Sequence, residues 1–367
     1  MLGQMDPRIL QVVTDTDRRG AQVFATDLHE AMRSLGHEVR TVALAPGSVG
    51  GLDVPVLGQQ RMSVGSLRAL RYAATAANVV VAHGSTTLPA CAISTAGTGV
   101  PFVYRQISDS RFWAPTRLRR LRVRAGMSRA ARIVALWRGS AQTVSELFGV
   151  PEAKVRVVPN GVPTASFRVA DHAGRQAARR RFGLDLDRST VLSLGALAPE
   201  KGVDLAVRAL GDLPGAQMLV VGDGPERASL TALANQVAPE RIVFTGSIDD
   251  PADAYAAADV VALPSRGGDS MPAVLIEAGL CGLPTVSTPV EGIPEIVLDG
   301  ETGCLVPVGE HAALTRTLGA LLTDGDQAAR LGAAARAHCI QHFSIEAVAA
   351  QWVAVLAELV PGLDDAH

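Results

Sequence analysis

Residues 191–224 read VLSLGALAPEKGVDLAVRALGDLPGAQMLVVGDG. One apolar run, Val191 to Leu194, stops at Gly195, and a second, Met218 to Val221, stops at Gly222. Helical sequence between two short strands predicts a parallel pairing, because parallel strands need a crossover connection. A strand, a glycine turn and a helix in that order also aim backbone N–H groups and the positive end of a helix at whatever lies beyond the strand ends.

The alternation continues in both directions. Downstream, strands are expected at Ile242 to Phe244, Val260 to Leu263, Thr285 to Ser287 and Cys304 to Val306. Upstream they are expected at Arg8 to Val13, Val39 to Leu44, Val79 to Ala82, Phe102 to Tyr104, Ile133 to Leu136 and Val155 to Val158. Between the first two, Ala21, Phe24, Ala25, Leu28, Ala31, Met32 and Leu35 keep helical spacing until Gly36. The expected class is α/β with two Rossmann-like, doubly wound parallel sheets. A length of 367 residues fits two domains. The expected division is 1–165, a connection over 166–188, and 189–343, with a helix over 345–360 packing back on the first domain. The connection is placed on Gly161, Pro163 and the polar, Arg-rich sequence after them.

Composition excludes several classes. Lys and Arg number 34 against 36 Asp and Glu, a net charge of -2 that predicts no broad attraction to nucleic acid. No run of about 18 apolar residues is present to span a bilayer, and the N-terminus lacks a secretory pattern. The expected location is cytoplasmic, with peripheral association at the inner face of a membrane left open. Cys91, Cys281, Cys304 and Cys339 match no metal or redox spacing, so no metal site is expected. Neither a Gly-x-Gly-x-x-Gly nor a Walker sequence occurs, and no cofactor is expected.

Three residues carry chemistry in the second half. Lys201 follows Gly195 by six residues, near the start of a helix at the carboxyl ends of the strands, where open α/β sheets bind ligands. A lysine there can neutralise a departing phosphate or be a solvated surface charge. Asp269 precedes and Glu277 lies within a helix that starts after Pro272. Carboxylates accept hydroxyl donors in pairs, which suits a ribose or a sugar; a turn aspartate and a structurally paired helix glutamate are the plainer readings. Gly20, Gly195 and Gly222 each open a strand-to-helix turn, with or without a ligand.

The segments Val158 to Val162, Gly195 to Gly202 ending in Pro199-Glu200-Lys201-Gly202, and Gly222-Asp223-Gly224-Pro225 resemble glycosyltransferase family four. Phe244-Thr245-Gly246, Ala257-Ala258-Asp259, Leu263-Pro264-Ser265, Asp269 to Glu277, Gly292 to Val297 and Asp299 to Gly303 follow in the same order. The resemblance implies the GT-B fold, two Rossmann-like domains facing a central cleft, and retaining transfer of a sugar from a nucleotide-sugar donor (UDP-, GDP- or ADP-sugar) without a metal. It implies donor contacts from Lys201, Asp269 and Glu277, with Gly20, Arg19, Gly195, Gly222, Met271, Pro272 and Gly292 around them. It places the acceptor, a sugar, a lipid-linked molecule or a small molecule, on the first domain, where His83, Arg105 and Asp109 are the candidates. A catalytically silent binding subunit and a nucleotide-sugar epimerase are the rival readings.

Six positions depart from the family pattern, Trp137 and Arg138 among them in place of a Ser-Glu step. Ala196 stands where an arginine usually pairs with the lysine, Asp269 is one methylene shorter than the usual glutamate, Glu291 replaces a common glycine, and Ile107 replaces a histidine. Arg19 or Arg105 is expected to supply the missing cation. Seven arginines between Arg117 and Arg132 scatter around a helical wheel, which favours a solvated or acceptor-side basic helix over a membrane helix.

Overall fold

The chain divides into two compact units, Met1–Val162 with Ile345–His367, and Pro163–Ser344. The computed structural model describes residues 8–107 and 116–363.

Unit 1 is built on six parallel strands: β1 (Arg8–Val13), β2 (Glu38–Ala43), β3 (Val79–His83), β4 (Phe102–Gln106), β5 (Arg132–Ala135) and β6 (Val155–Val157), in the order β2-β1-β3-β4-β5-β6. Every residue of β3 and β4 is buried, as a parallel sheet covered on both faces requires. Side chains alternate between the faces. Leu10, Val12, Val80 and Ala82 join one core with Leu88, Met127 and Phe148. Ile9, Val79, Val81 and Val103 join the other beneath helix Gly20–Ser34 and helix Ile345–Ala357. The second of these helices buries Ile345, Val348, Ala349, Trp352, Val355 and Leu356, a stripe at intervals of three and four residues. Trp352 is 0% exposed. The backbone at Gly161 runs so close that a Cβ there would crowd Ile345 and Val348.

Asp27, on helix Gly20–Ser34, has its carboxyl pushed up to about 6 by burial, with Arg18 opposing. The folded state therefore binds its proton more tightly than the unfolded chain, whose carboxyl titrates near 3.8. Stability contributed at low pH is lost as pH rises through about 6, a difference of about 3 kcal/mol. Asp27→Asn is expected to melt above the wild type at pH 7 and level with it near pH 4. Parallel melting curves at both pH values would refute this.

Unit 2 repeats the plan with β7 (Ser189–Leu194), β8 (Ala216–Val221), β9 (Ile242–Gly246), β10 (Val260–Leu263), β11 (Thr285–Ser287) and β12 (Cys304–Leu305), all parallel, in the order β12-β11-β10-β7-β8-β9. Its core gathers Met218, Val220, Val260, Ala262 and Val286 with Val207, Leu210, Leu314 and Leu318 from the covering helices.

The stretch read as a connection over 166–188 is not one. It holds helix His172–Arg181, capped by Asp171, whose Oδ1 accepts from Gly174 N at 2.7 Å. Arg175 and Arg179 both pair with Asp259, and Arg181 pairs with Asp253. Asp259 also accepts from Thr190 N at 2.7 Å, so this aspartate ties the helix to β7 and β10. The arginines that made the segment look like a linker are its attachment to unit 2.

Candidate active site

In unit 2 the chain starts at β7, builds outward through β8 and β9, then returns to the other side of β7 with β10. The carboxyl ends of β7 and β10 therefore flank the switch point where open α/β sheets hold ligands. Gly195, with φ +140°, and Gly222, with φ +133°, end β7 and β8. Both angles lie where side chains are disfavoured, and a Cβ on Gly222 would collide with the Gly195 carbonyl. The two turns thus lie backbone on backbone, joined by Gly195 N to Val221 O and Leu197 N to Asp223 O, each 2.9 Å. Beside them opens a pocket of about 340 Å³ lined by Gly195, Ala196, Gly222, Asp223, Ser247 and Ile248.

After β7 the chain makes a short 3-10 turn, Pro199–Lys201, and leaves it through Gly202 at φ +65°. A Cβ on Gly202 would strike the Pro264 carbonyl, so the loops after β7 and β10 are in backbone contact. Arg266 fastens them. Its guanidinium grips Asp204 with both nitrogens at 2.7 and 2.8 Å and reaches Pro199 O at 2.9 Å, while its own N–H donates to Glu200 O at 2.7 Å. These hydrogen bonds hold the Asp204 carboxyl below its ordinary range.

In that frame Lys201 Nζ pairs with Asp269 Oδ1, and the Ser265 hydroxyl donates to Asp269 Oδ2. Asp269 is only 5% exposed, whereas a fifth of the Lys201 side chain meets solvent. Gly292 N donates to Ser270 O, and Glu291 Oε1 accepts from Gly268 N, both at 2.9 Å. Glu291 sits at φ +47°, which is why glycine suits this position. Its carboxylate fastens the loop that carries Asp269. Met271 is buried beneath that loop, and Pro272, in extended conformation, caps helix Ala273–Leu280.

Glu277 lies on that helix and is held from another side. The Tyr255 hydroxyl donates to Glu277 Oε2 at 2.6 Å and lies 3.2 Å from Val274 O. Tyr255 is enclosed and meets Phe167 edge-on at 5.7 Å. Burial first, then the Glu277 charge, pushes its phenol well above the usual range. It is therefore a fixed donor to the Glu277 carboxyl.

In unit 1, Gly20 opens helix Gly20–Ser34 with no side-chain cap and no acid in the first turn, and nothing crowds its Cα. Arg19, three-fifths exposed, pairs with Asp17 Oδ2 at 2.7 Å. The N–H groups of Gly50 and Val49 hold the Asp17 carboxyl far below its ordinary range. His83 and Arg105, expected at the rim of a cleft, are interior: each is 1% exposed. The Arg105 guanidinium lies 3.6 Å over the Phe24 ring and donates to Asn160 Oδ1 at 2.5 Å, and burial pushes it down to about 9. His83 Nε2 meets Gln11 Oε1 at 2.8 Å, and burial, aided by Arg105, holds its imidazole neutral. The helix that follows β1 covers both strand ends through Phe24, so Arg105 is held inside unit 1. Asp109 lies outside the described residues.

Sequence reading passed over Tyr255, Ser265, Arg266, Ser247 and Ile248. Only Ser265 had a signal, in the Leu263-Pro264-Ser265 segment.

Two Rossmann-like parallel sheets, the second with a cation–carboxylate pair at its switch point and a pocket at the carboxyl ends of β7 and β8, define a protein of the GT-B class. Residues 188–324 match the family described as Glycosyl transferases group 1, and residues 18–166 match Glycosyltransferase Family 4. The chain belongs to these group 1, family four glycosyltransferases. It is 36% identical over 232 residues to a GDP-mannose-dependent alpha-(1-6)-phosphatidylinositol monomannoside mannosyltransferase of Mycolicibacterium smegmatis, covering 59% of each chain. A D-inositol 3-phosphate glycosyltransferase of Xylanimonas cellulosilytica is 37% identical over 216 residues, 56% of this chain and 52% of that one. The chain spans about half the length of the curated relatives it matches. Among solved structures, Anabaena HepE in complex with UDP-glucose superposes with a TM-score of 0.84 at 22% identity, over 96% of this chain and 99% of that one.

Proposed function

We propose that the chain transfers a sugar from a nucleoside-diphosphate donor to an acceptor hydroxyl with retention of anomeric configuration. The observation that carries this reading is the Lys201–Asp269 pair, assembled at the β7/β10 switch point beside the pocket. In this reading the pocket takes the nucleoside, Glu277 accepts from the ribose hydroxyls, and Asp269 accepts from the donor sugar. Lys201 then exchanges its partner for the diphosphate and stabilises the charge that develops as the anomeric C–O bond breaks. The acceptor oxygen bonds to the anomeric carbon on the face the phosphate leaves, and its proton passes to the departing phosphate oxygen. Lys201 supplies the cation for this step, which supports transfer without a metal and predicts activity in chelator.

The relatives' names point to GDP-mannose and to inositol-type acceptors, and the HepE complex to UDP-glucose, so the donor base is the first thing to measure. The protein is to be screened against UDP-, GDP- and ADP-sugars by thermal shift, then by release of nucleoside diphosphate with an acceptor panel. A donor that raises the melting temperature and is consumed only with acceptor supports the proposal. Binding without turnover leaves a silent binding subunit. A new sugar nucleotide formed without acceptor identifies an epimerase.

Ala196 is exposed on the pocket wall, where a longer cation has room. Ala196→Arg is expected to tighten nucleoside diphosphate binding about tenfold, the effect of one added bidentate phosphate contact. Calorimetry giving an unchanged or weaker affinity would show that this wall does not face the phosphates.

A further inference from the structure

Helix Arg117–Arg129 carries six arginines in 13 residues, and no acid occurs from Thr116 to Arg132. In a chain with net charge -2, this is a local excess of one sign. The helix is fixed in orientation. Val123, Gly126 and Met127 are buried against unit 1, and Gly126 leaves just the space that Leu88 fills. Its outer side bears Leu118 and Leu121, 61% and 60% exposed, with Arg117, Arg119, Arg122 and Arg124 exposed around them. Several arginines elsewhere are paired: Arg132 and Arg156 hold Glu358, Arg175 and Arg179 hold Asp259, and Arg266 holds Asp204. The guanidinium groups of Arg117, Arg119, Arg122 and Arg124 have no partner among the described residues. Beside Leu121 a shallow hollow of about 240 Å³ is lined by Arg117, Arg120, Arg124 and Leu147.

We infer that the outer face of helix Arg117–Arg129 docks on an anionic lipid bilayer. Arginine pairs with phosphate oxygens in a fork and gives up its water more readily than lysine, and exposed leucines between the cations gain by entering the layer beneath the headgroups. The scatter of arginines around the wheel, which reads against a membrane helix, fits this placement. With one side buried against unit 1, the cations on the remaining half all face outward. The face offers arginine and leucine and no carboxylate, so it has little to specify one folded partner, whereas mobile headgroups can arrange themselves to each guanidinium. This inference stands apart from the transfer reaction and needs no donor or acceptor.

The test is cosedimentation of the full chain with vesicles of phosphatidylcholine alone and with about 30% phosphatidylglycerol. Binding is expected to the anionic vesicles only, and to fall steeply between about 0.1 and 0.5 M salt. Each arginine at the surface is worth about fivefold in partitioning, so replacing Arg117, Arg119, Arg122 and Arg124 together with glutamine is expected to cost at least about a hundredfold. The same four changed to lysine are expected to retain most of the binding, and Leu118→Ser with Leu121→Ser to weaken it at every salt concentration. Unchanged melting temperatures for all three variants show that folding is intact. Failure of the wild type to bind anionic vesicles, equal binding by the glutamine variant, or tighter binding to duplex DNA than to vesicles would overturn the inference.

Discussion

Replacing Lys201 with alanine is expected to lower kcat for sugar transfer by about 10²–10³-fold, the loss typical when one charge-stabilising group is removed from where negative charge develops. The change has a second effect that the structure makes measurable. Asp269 is nearly enclosed, and without Lys201 its partner at Oδ1 is gone while Ser265 still serves Oδ2. A buried carboxylate deprived of its cation costs about 3–5 kcal/mol of stability. Lys201→Ala with Asp269→Asn is therefore expected to recover most of the stability and none of the turnover. Lys201→Arg, which keeps the charge, is expected to fall between. Rates from nucleoside diphosphate release, read beside calorimetric melting, separate the two effects. Turnover within a few fold of wild type in Lys201→Ala would remove the lysine from the chemistry.

Trp352→Ala is expected to destabilise unit 1 by about 3–5 kcal/mol, the cost of emptying a wholly buried aromatic site. The indole fills the space between helices on the face of the sheet that holds Val79, Val81 and Val103, and its ring lies 6.2 Å from His83. In a unit of this size such a loss lowers the melting temperature by about 10 °C. Hydrogen exchange localises it: protection is expected to fall at β1 and β3 and to hold at β7 and β8. An even loss across both units, or one below about 1 kcal/mol, would show that the terminal helix is not integral to the first core.

Sequence resolved the strands well because most are short apolar runs closed by a turn residue, and the central ones, β3, β4, β8 and β10, are buried throughout. It placed β4 two residues short, at Tyr104, since Arg105 and Gln106 are polar yet continue the ladder against His83 and Ala135. The same polarity made Arg105 look solvent-facing. Nothing in the local pattern says that Phe24, some eighty residues earlier, lies over it. The 166–188 segment failed for a like reason, its arginines having their carboxylates at 253 and 259. In the candidate site, residue type and position singled out Lys201, Asp269 and Glu277, and the structure pairs the first two. Tyr255 and Arg266 were not singled out, because holding another side chain leaves no spacing rule behind.

The last helix has a consequence for how the protein is made. Ile345 N bonds Val162 O at 2.9 Å, so the chain re-enters unit 1 beside the point where it left. Domains tend to fold in order as they emerge from the ribosome. Here the earlier unit waits for the later one: its hydrophobic face is open until Trp352 and its neighbours arrive, after all of unit 2 has been synthesised. The core over Val79, Val81 and Val103, begun by helix Gly20–Ser34, is thus completed by residues made after all of unit 2.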